Sequence, residues 1–332
     1  MRNILCVTLI ALLGGCTSTS VTEKYQDKRN DIINVKDKVI EFETGNVLIG
    51  SVSRLYMSNK CLLIADHKSV DKQIHIFNKN DFSYLTSIGN FGEGPEEITV
   101  MGCLAIDEAH HQLYVSDHAK QKIFSYDMDS VMVDSLYKPQ VKTAMNETLF
   151  PSEYQYINDT LSIAVLIKPT STSTFNQFLG RWNMNTGEMI PMKYTHPDIQ
   201  KKRITFAASE KAGIYVECYT RHDLMTICSL DGELLYNIYG PDWDGGNGNK
   251  LQSFGTVMIG NDKIFVSYCG EDYARNSFPT KILVFDLEGN YLKTLETGYK
   301  ISDCCYDSFN NRIILSLNDV VQFAYLDIDG II

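Results

Sequence analysis

Three carboxylates, Glu97, Glu153 and Asp303, each stand near the start of a short apolar run, and the three runs lie far apart in the chain. Gathered around one axis, they would hold a divalent cation such as Ca2+ or Mg2+, and a cation so held acts as a Lewis acid in a metal-dependent hydrolase or lyase. A second set is turn-borne and mostly basic: His67 and Lys68, His118 and Lys120, Arg221 and His222, then Glu271-Asp272-Tyr273-Ala274-Arg275. In a chain of net charge −11, such groups converging on a central pocket would suit an anionic or sugar-like ligand. Taken singly, each reads as a solvated loop residue. Asp242-Trp243-Asp244-Gly245-Gly246-Asn247-Gly248-Asn249 has oxygen ligands at alternating positions, but it lacks the glycine and closing Glu of a calcium loop, with Ser253 where that Glu belongs. A glycine-rich surface loop with Trp243 as its cap is the simpler reading. Gly89-x-x-Gly92-x-Gly94 is not a dinucleotide fingerprint, and Pro95 follows it where no helix begins. No G-x-S-x-G elbow occurs, and no Ser/His/Asp or Cys/His set can be assembled. The expectation is binding without catalysis and without a cofactor, with a divalent cation as the alternative.

Those residues must be positioned by strands. Ser87–Asp127 contains the glycine turn Gly89–Pro95 and then three short apolar runs, Gly102–Ile106, Gln112–Ser116 and Lys122–Tyr126, separated by Asp- or His-rich turns. Runs of this kind joined by tight turns make an antiparallel meander. The meander repeats. Aligning the second strand of each unit gives Cys61–Asp66, Gln112–Asp117, Leu161–Leu166, Gly213–Cys218, Lys263–Tyr268 and Arg312–Leu317, with ends about 50 residues apart. Third strands follow in every unit, and fourth strands in five: Phe82–Ile88, Met132–Tyr137, Met189–Met192, Leu234–Tyr239 and Tyr291–Glu296. Hairpin chemistry such as Leu230-Asp231-Gly232-Glu233 joins them. The sixth unit runs out of chain after its third strand, and Lys38–Glu43 is strand-like with no unit of its own. The spacing therefore predicts an all-β, six-bladed β-propeller of four-stranded antiparallel blades, its ring closed by the N-terminal strand joining the last blade.

The first residues have a different character. Met1-Arg2-Asn3, the apolar run Ile4–Leu13 and Leu13-Gly14-Gly15-Cys16 form a leader too short to span a bilayer as a helix. Residues 1–15 are expected to be a signal peptide, 16–37 a polar tether and 38–332 the propeller domain. Leu-Gly-Gly-Cys resembles a bacterial lipobox, which implies a lipid on Cys16 and a membrane anchor. Thr17 is compatible with outer-membrane sorting, facing either the periplasm or the surface. Seven later cysteines, Cys61, Cys103, Cys218, Cys228, Cys269, Cys304 and Cys305, mostly sit inside apolar runs and read as small buried hydrophobes. The acidic balance argues against nucleic acid as a partner.

Gly92-Glu93-Gly94-Pro95-Glu96-Glu97-Ile98, after Ser87-Ile88-Gly89, resembles the Gly-x-Gly-Pro-Gly-Glu-aromatic turn of Bacteroidetes six-bladed propeller lipoproteins, which are similar to TolB-like and NHL-type propellers. Glu96 replaces that family's second glycine and Ile98 its aromatic residue. The resemblance implies the propeller fold and a cell-envelope location. Metal-dependent propeller lactonases and lyases place acidic ligands where Glu97, Glu153 and Asp303 are expected. Within a blade, the connections on one face are short; those on the other are long: Lys138–Ser152, Lys168–Asn176, Lys193–Arg203, Pro241–Lys250 and Gly270–Pro279. Function concentrates on such loops. The expected protein is a monomeric, membrane-anchored propeller whose long-loop face binds a protein or glycan partner. Gly89, Gly92, Gly94 and Pro95 are expected to shape the junction between blades.

Overall fold

The computed structural model describes residues 22–332 apart from Ser135, Lys201, Gly248 and Asn249. The expected signal peptide and the lipidation site at Cys16 lie outside the described residues. Three short strands come first, β1 (Glu23–Tyr25), β2 (Ile32–Asn34) and β3 (Val39–Glu41). Blade 1 follows as β4 (Ser53–Met57), β5 (Cys61–Asp66), β6 (Lys72–Asn78) and β7 (Tyr84–Asn90). Blade 2 is β8 (Met101–Asp107), β9 (Gln112–Asp117), β10 (Lys122–Asp127) and β11 (Gln140–Ala144), with the helix α1 (Met128–Val133) before β11. Blade 3 is β12 (Phe150–Asn158), β13 (Leu161–Pro169), β14 (Phe175–Trp182) and β15 (Met189–Pro191). Blade 4 is β16 (Ile204–Ser209), β17 (Ile214–Tyr219), β18 (Leu224–Ser229) and β19 (Leu234–Tyr239). Blade 5 is β20 (Leu251–Gly260), β21 (Lys263–Asp272), β22 (Lys281–Asp286) and β23 (Tyr291–Glu296). Blade 6 is β24 (Ile301–Asp307), β25 (Arg312–Leu317) and β26 (Phe323–Asp327), and β3 is its outer strand.

β3 pairs antiparallel with β26, Ile40 opposite Tyr325, so the N-terminal segment supplies the strand that the last blade lacks. Each blade is buried on both faces by its neighbours. Its second strand therefore reads as a continuous apolar run rather than an alternating one, and β5, β17 and β25 are buried at every position. The core is divided into six clusters, one at each blade junction. Leu63, Ile74 and Ile76 of blade 1 pack on Leu104, Val115 and Phe124 of blade 2. Leu62, Ile64 and Phe77 of the same blade pack on Ile314 and Phe323 of blade 6 across the closure. Burying each such side chain stabilises by about 1.5–3 kcal/mol. The seven cysteines outside the leader are all buried and unpaired, most of them in these clusters, and they pack as hydrophobes.

Two expectations change. The fourth strand of blade 2 is Gln140–Ala144, not Met132–Tyr137. Asp127 caps a helix by accepting from the Ser130 amide, and Val131 is buried under it, so local capping wins over the weak strand pattern. The expected long loop Lys138–Ser152 accordingly contains the edge strand β11. Residues 23–34, read as tether, are also paired to the ring. β1 runs parallel to β19 on blade 4, and β2 runs parallel to β23 on blade 5. Both blades thereby gain a fifth strand. Between β1 and β2 the Arg29 guanidinium enters the blade 4–blade 5 junction and meets the Asp223 carboxylate at 2.7 Å, both side chains buried. That ion pair and the main-chain pairing of β1 and β2 supply the docking that the polar composition of the segment conceals.

Candidate functional site

The first strand of each blade faces the propeller axis, and the polar residues there meet across it. Arg54 on β4 forms an ion pair of 2.8 Å with Glu153 on β12. Blades 1 and 3 are not neighbours, so this pair spans the axial channel over blade 2. Burial opposes the guanidinium charge, but Glu153 holds its pKa above the ordinary value. Asp303 on β24 accepts from the Leu55 amide at 2.8 Å and the Thr256 hydroxyl at 2.6 Å. It thus ties blades 1, 5 and 6 together, while burial pushes its carboxyl upward. Glu97 is elsewhere. Its carboxylate accepts from the Gly94 amide at 2.8 Å within the turn after β7. The three acids expected to share a cation are therefore each committed to a separate partner, which removes the axial-metal arrangement. Among the described residues, a different trio, Asp107, His110 and Asp159, brings three possible ligand atoms within 4.8 Å of one another.

The basic turn residues divide in the same way. Lys120 donates to the carbonyls of Gly92 (3.3 Å), Gly94 (2.6 Å) and Glu97 (2.5 Å). Its ammonium is the centre about which the glycine turn is wrapped, and the expected ligand-binding role gives way to a structural one. The buried Asp117 carboxylate holds the other side, accepting from the amides of Thr99 (2.8 Å) and Ala119 (2.9 Å). A Cβ on Gly92 or Gly94 would meet the Glu97 carboxylate, which would have to move away from its place in the turn. Gly89 has φ +73° at the end of β7, a conformation costly for other residues. This turn joins β7 of blade 1 to β8 of blade 2.

His67 and His118 lie close enough to act on one another, on the turns after β5 and β9. His67 Nδ1 contacts the Met101 carbonyl at 3.3 Å, and the Nε2 of each ring is buried without a protein partner. Burial lowers both pKa values, helped for His67 by Arg54, so both rings are neutral near pH 7. Lys68 stays at the surface of the same turn, where its amide donates to Asp66. His222 is separate from them. Its ring packs at 5.9 Å from Trp243 and lies 3.7 Å from the Asp244 carboxylate. Trp243 also packs on His196 and Tyr239, so it caps the blade here. Asp242 is directed inward to the Tyr268 hydroxyl at 3.3 Å. Asp242 and Asp244 thus meet different partners, Tyr268 and His222; Gly248 and Asn249 of this loop are outside the described residues.

Five imidazoles, His67, His75, His118, His196 and His222, have pKa values lowered chiefly by burial. Their folded values lie below the unfolded one, so the unfolded chain takes up protons first as pH falls. Their contribution is fully present above about pH 6.5 and is lost as pH falls through that point towards the folded values. His110, held up by Asp107, and the raised carboxyls of Asp223 and Asp303 act in the opposite sense. The imidazoles are more numerous, and the expected result is a melting temperature lower at pH 5 than at pH 7.5. An equal or higher value at pH 5 contradicts this.

On the long-loop face, Arg221 lies 3.8 Å from the centroid of the Tyr273 ring. Arg275 pairs with Glu271 at 2.7 Å in the same loop, and the Asp272 carboxylate caps its short helix through the Ala274 amide. Arg203 lies over Phe175 at 5.0 Å. Thr220 donates to the Arg203 carbonyl, Ser253 to that of Thr220 and Tyr273 to that of Lys250, which makes this one continuous strip over blades 3, 4 and 5. Phe175 and Tyr273 are 43% and 46% exposed. Arg221 and Tyr273 are among the residues that the sequence singles out; Arg203, Phe175 and the axial Arg54 are not. An arginine inside the otherwise apolar run Ser53–Met57 was a usable signal for the last.

A sequence model of the DUF5128 family, described as 6-bladed beta-propeller, matches residues 17–176. The chain is an all-β six-bladed propeller similar to that family. None of the curated proteins matches it. Among solved structures it is similar to a Bacteroides fragilis protein described as exported, with 13% identity, TM-score 0.58, and coverage of 89% of this chain and 87% of that one. It is equally similar to a DUF4221 family member from Bacteroides vulgatus, at 11% identity, TM-score 0.58, and coverage of 87% and 94%. A third likeness is the Cps50 (Swd1) propeller domain of a Myceliophthora fungus, at 10% identity, TM-score 0.53, and coverage of 85% and 98%. At these identities the likeness is one of fold.

No nucleophile with an oriented base is assembled at the axis among the described residues. Ser87 Oγ lies 2.8 Å from His75 Nδ1 on the outer part of blade 1, but the other ring nitrogen is buried without a partner and the Tyr84 hydroxyl shares the serine. No carboxylate orients the ring, so the pair lacks the third member that activates a serine.

Proposed function

We propose that the mature protein is a lipid-anchored, cell-envelope propeller that binds a protein partner through its long-loop face and performs no catalysis of its own. The observation that carries this reading is the strip Phe175, Arg203, Arg221 and Tyr273. Two exposed aromatic rings are each pre-stacked with an arginine on loops held by rigid blades. Arginine and tyrosine are the residue types that dominate binding energy at protein interfaces, and side chains already held by stacking lose little freedom on association. The leader with Leu-Gly-Gly-Cys16 and the likeness to a Bacteroides protein described as exported support the envelope location.

The test is affinity purification from envelope extracts, followed by measured binding of the recovered partner. Replacing Phe175 and Tyr273 with Ala is expected to weaken binding about tenfold or more for each, without a change in melting temperature. Retention of full affinity in the double variant removes the strip as the binding surface. Binding to a glycan array with no protein partner recovered replaces the protein reading with a carbohydrate one.

A further inference from the structure

The repeat allows one blade junction to be compared with another, residue by residue. Asp107 and Asp307 end β8 and β24, and each faces the first residue of the next strand, Gln112 and Arg312 respectively. Both carboxylates are buried, and both organise the tight turn by accepting from the residue three positions on. Asp107 accepts from the His110 amide and contacts His110 Nδ1 at 2.9 Å; Asp307 accepts from the Asn310 amide and Asn310 Nδ2. At the blade 6–blade 1 junction two built-in cations answer this buried charge, Lys79 at 3.0 Å and Arg312 at 3.3 Å.

At the blade 2–blade 3 junction both cations are gone. Gln112 stands in place of Arg312. Met184, buried like Lys79, stands where Lys79 does, directly after the matched residues Asn183 and Asn78. The neighbouring blade also contributes an extra acid, since Asp159 occupies the turn position held by Asn59 in blade 1. Over the aligned positions the charge changes from net +1 to net −2 with the imidazole neutral, and Lys142 of β11, which lines the same pocket, brings the sum at this junction to −1. His110 Nδ1 lies 3.9 Å from Asp159 Oδ1. The hydroxyls of Tyr114 and Tyr156 donate to Asp107 and Asp159 and fix them from the second layer. The group opens on a pocket lined also by Gln112, Lys142 and Asn185, and His110 and Asp159 are 57% and 64% exposed on their side chains.

We propose that Asp107, His110 and Asp159 form a binding site for a divalent metal ion of the zinc class on the short-turn face between blades 2 and 3. One imidazole nitrogen and two carboxylates suit a borderline ion better than Ca2+ or Mg2+, which take oxygen ligands in larger number. Water completes the coordination. The ion adds positive charge here, as Lys79 and Arg312 do at the equivalent junction.

The test uses the whole mature chain, stripped with chelator and titrated calorimetrically with ZnCl2, with MgCl2 and CaCl2 in parallel. One Zn2+ is expected per chain, with binding at least tenfold weaker in both His110→Asn and Asp159→Asn. His110→Asn supplies the residue that blade 6 uses at this position, so its metal-free melting temperature should match that of the parent. Should it fall, the exposed Asp159→Asn carries the test alone. A Co2+-substituted sample should show visible d–d absorption that both variants lose. No uptake of zinc, uptake unchanged in Asp159→Asn, or equal uptake of magnesium overturns the proposal.

Discussion

Replacing Arg29 with Met is expected to cost about 3–5 kcal/mol, the penalty for leaving one partner of a buried ion pair uncompensated. Arg29 is the residue that fastens the N-terminal segment into the ring. Its guanidinium sits 2.7 Å from Asp223, with the rings of Phe254, Tyr268 and Phe285 between 5.5 and 5.8 Å away. Asp223 is already pushed above its ordinary value by burial, with Arg29 opposing that rise. Without Arg29 the carboxyl rises further. A raised carboxyl contributes stability that is fully present below the unfolded pKa of about 3.9 and is lost as pH rises through the folded value. The deficit of Arg29→Met should therefore be largest at neutral pH and shrink as pH is lowered towards 5. Urea titrations of both proteins at pH 7.5 and pH 5 read this directly. A deficit that is small, or that grows on acidification, means that the segment is not held by this pair. The double variant Arg29→Met, Asp223→Leu should recover part of the loss at pH 7.5, because it removes the orphaned charge with the pair.

How much of this was legible in the sequence follows from which backbone groups meet which side chains. The blade period was readable because the second strands pack on both faces, and the physics of double burial writes itself as an unbroken apolar run: Cys61–Asp66, Gln112–Asp117 and Arg312–Leu317 were placed to the residue. The closing strand was readable from the missing member of blade 6. The strands Glu23–Tyr25 and Ile32–Asn34 were not, since they are three residues long, expose one face and are held largely by main-chain pairing, which leaves no periodicity. The long connections were told from the short ones by counting residues, because length is a sequence property. Which cations on them are free was not legible, because that depends on carbonyl positions. Lys120 and Arg221 look alike in sequence; one ammonium is enclosed by three carbonyls, while the guanidinium lies over an exposed ring. The junction comparison that exposes Asp107 and Asp159 required the register of two blades, and register appears only once strands are paired.

Lys120 offers the second large effect and separates the two meanings that a basic turn residue can have. Its ammonium donates to three carbonyls of the Gly92–Glu97 turn and lies 3.9 Å from the buried Asp117 carboxylate. That turn carries the chain from the outer strand of blade 1 to the inner strand of blade 2, with Ile98 buried beneath it. Hydrogen bonds to a charged group contribute about 1.5–3 kcal/mol each, but some carbonyls will find water once the turn relaxes. Lys120→Met is therefore expected to cost about 3 kcal/mol in total. Gly92→Val, which forces the Glu97 carboxylate off the Gly94 amide, should damage the same turn. The two losses are expected to be less than additive, since each releases the other's contacts. If instead Lys120→Met kept its full stability and lost affinity for the partner recovered with the long-loop face, the lysine would be a ligand residue and the turn would stand without it. Stability falling while the affinity of the folded fraction is unchanged fixes Lys120 as the pin of the blade 1–blade 2 crossover, and leaves the Phe175–Tyr273 strip as the part of this face that remains free to bind.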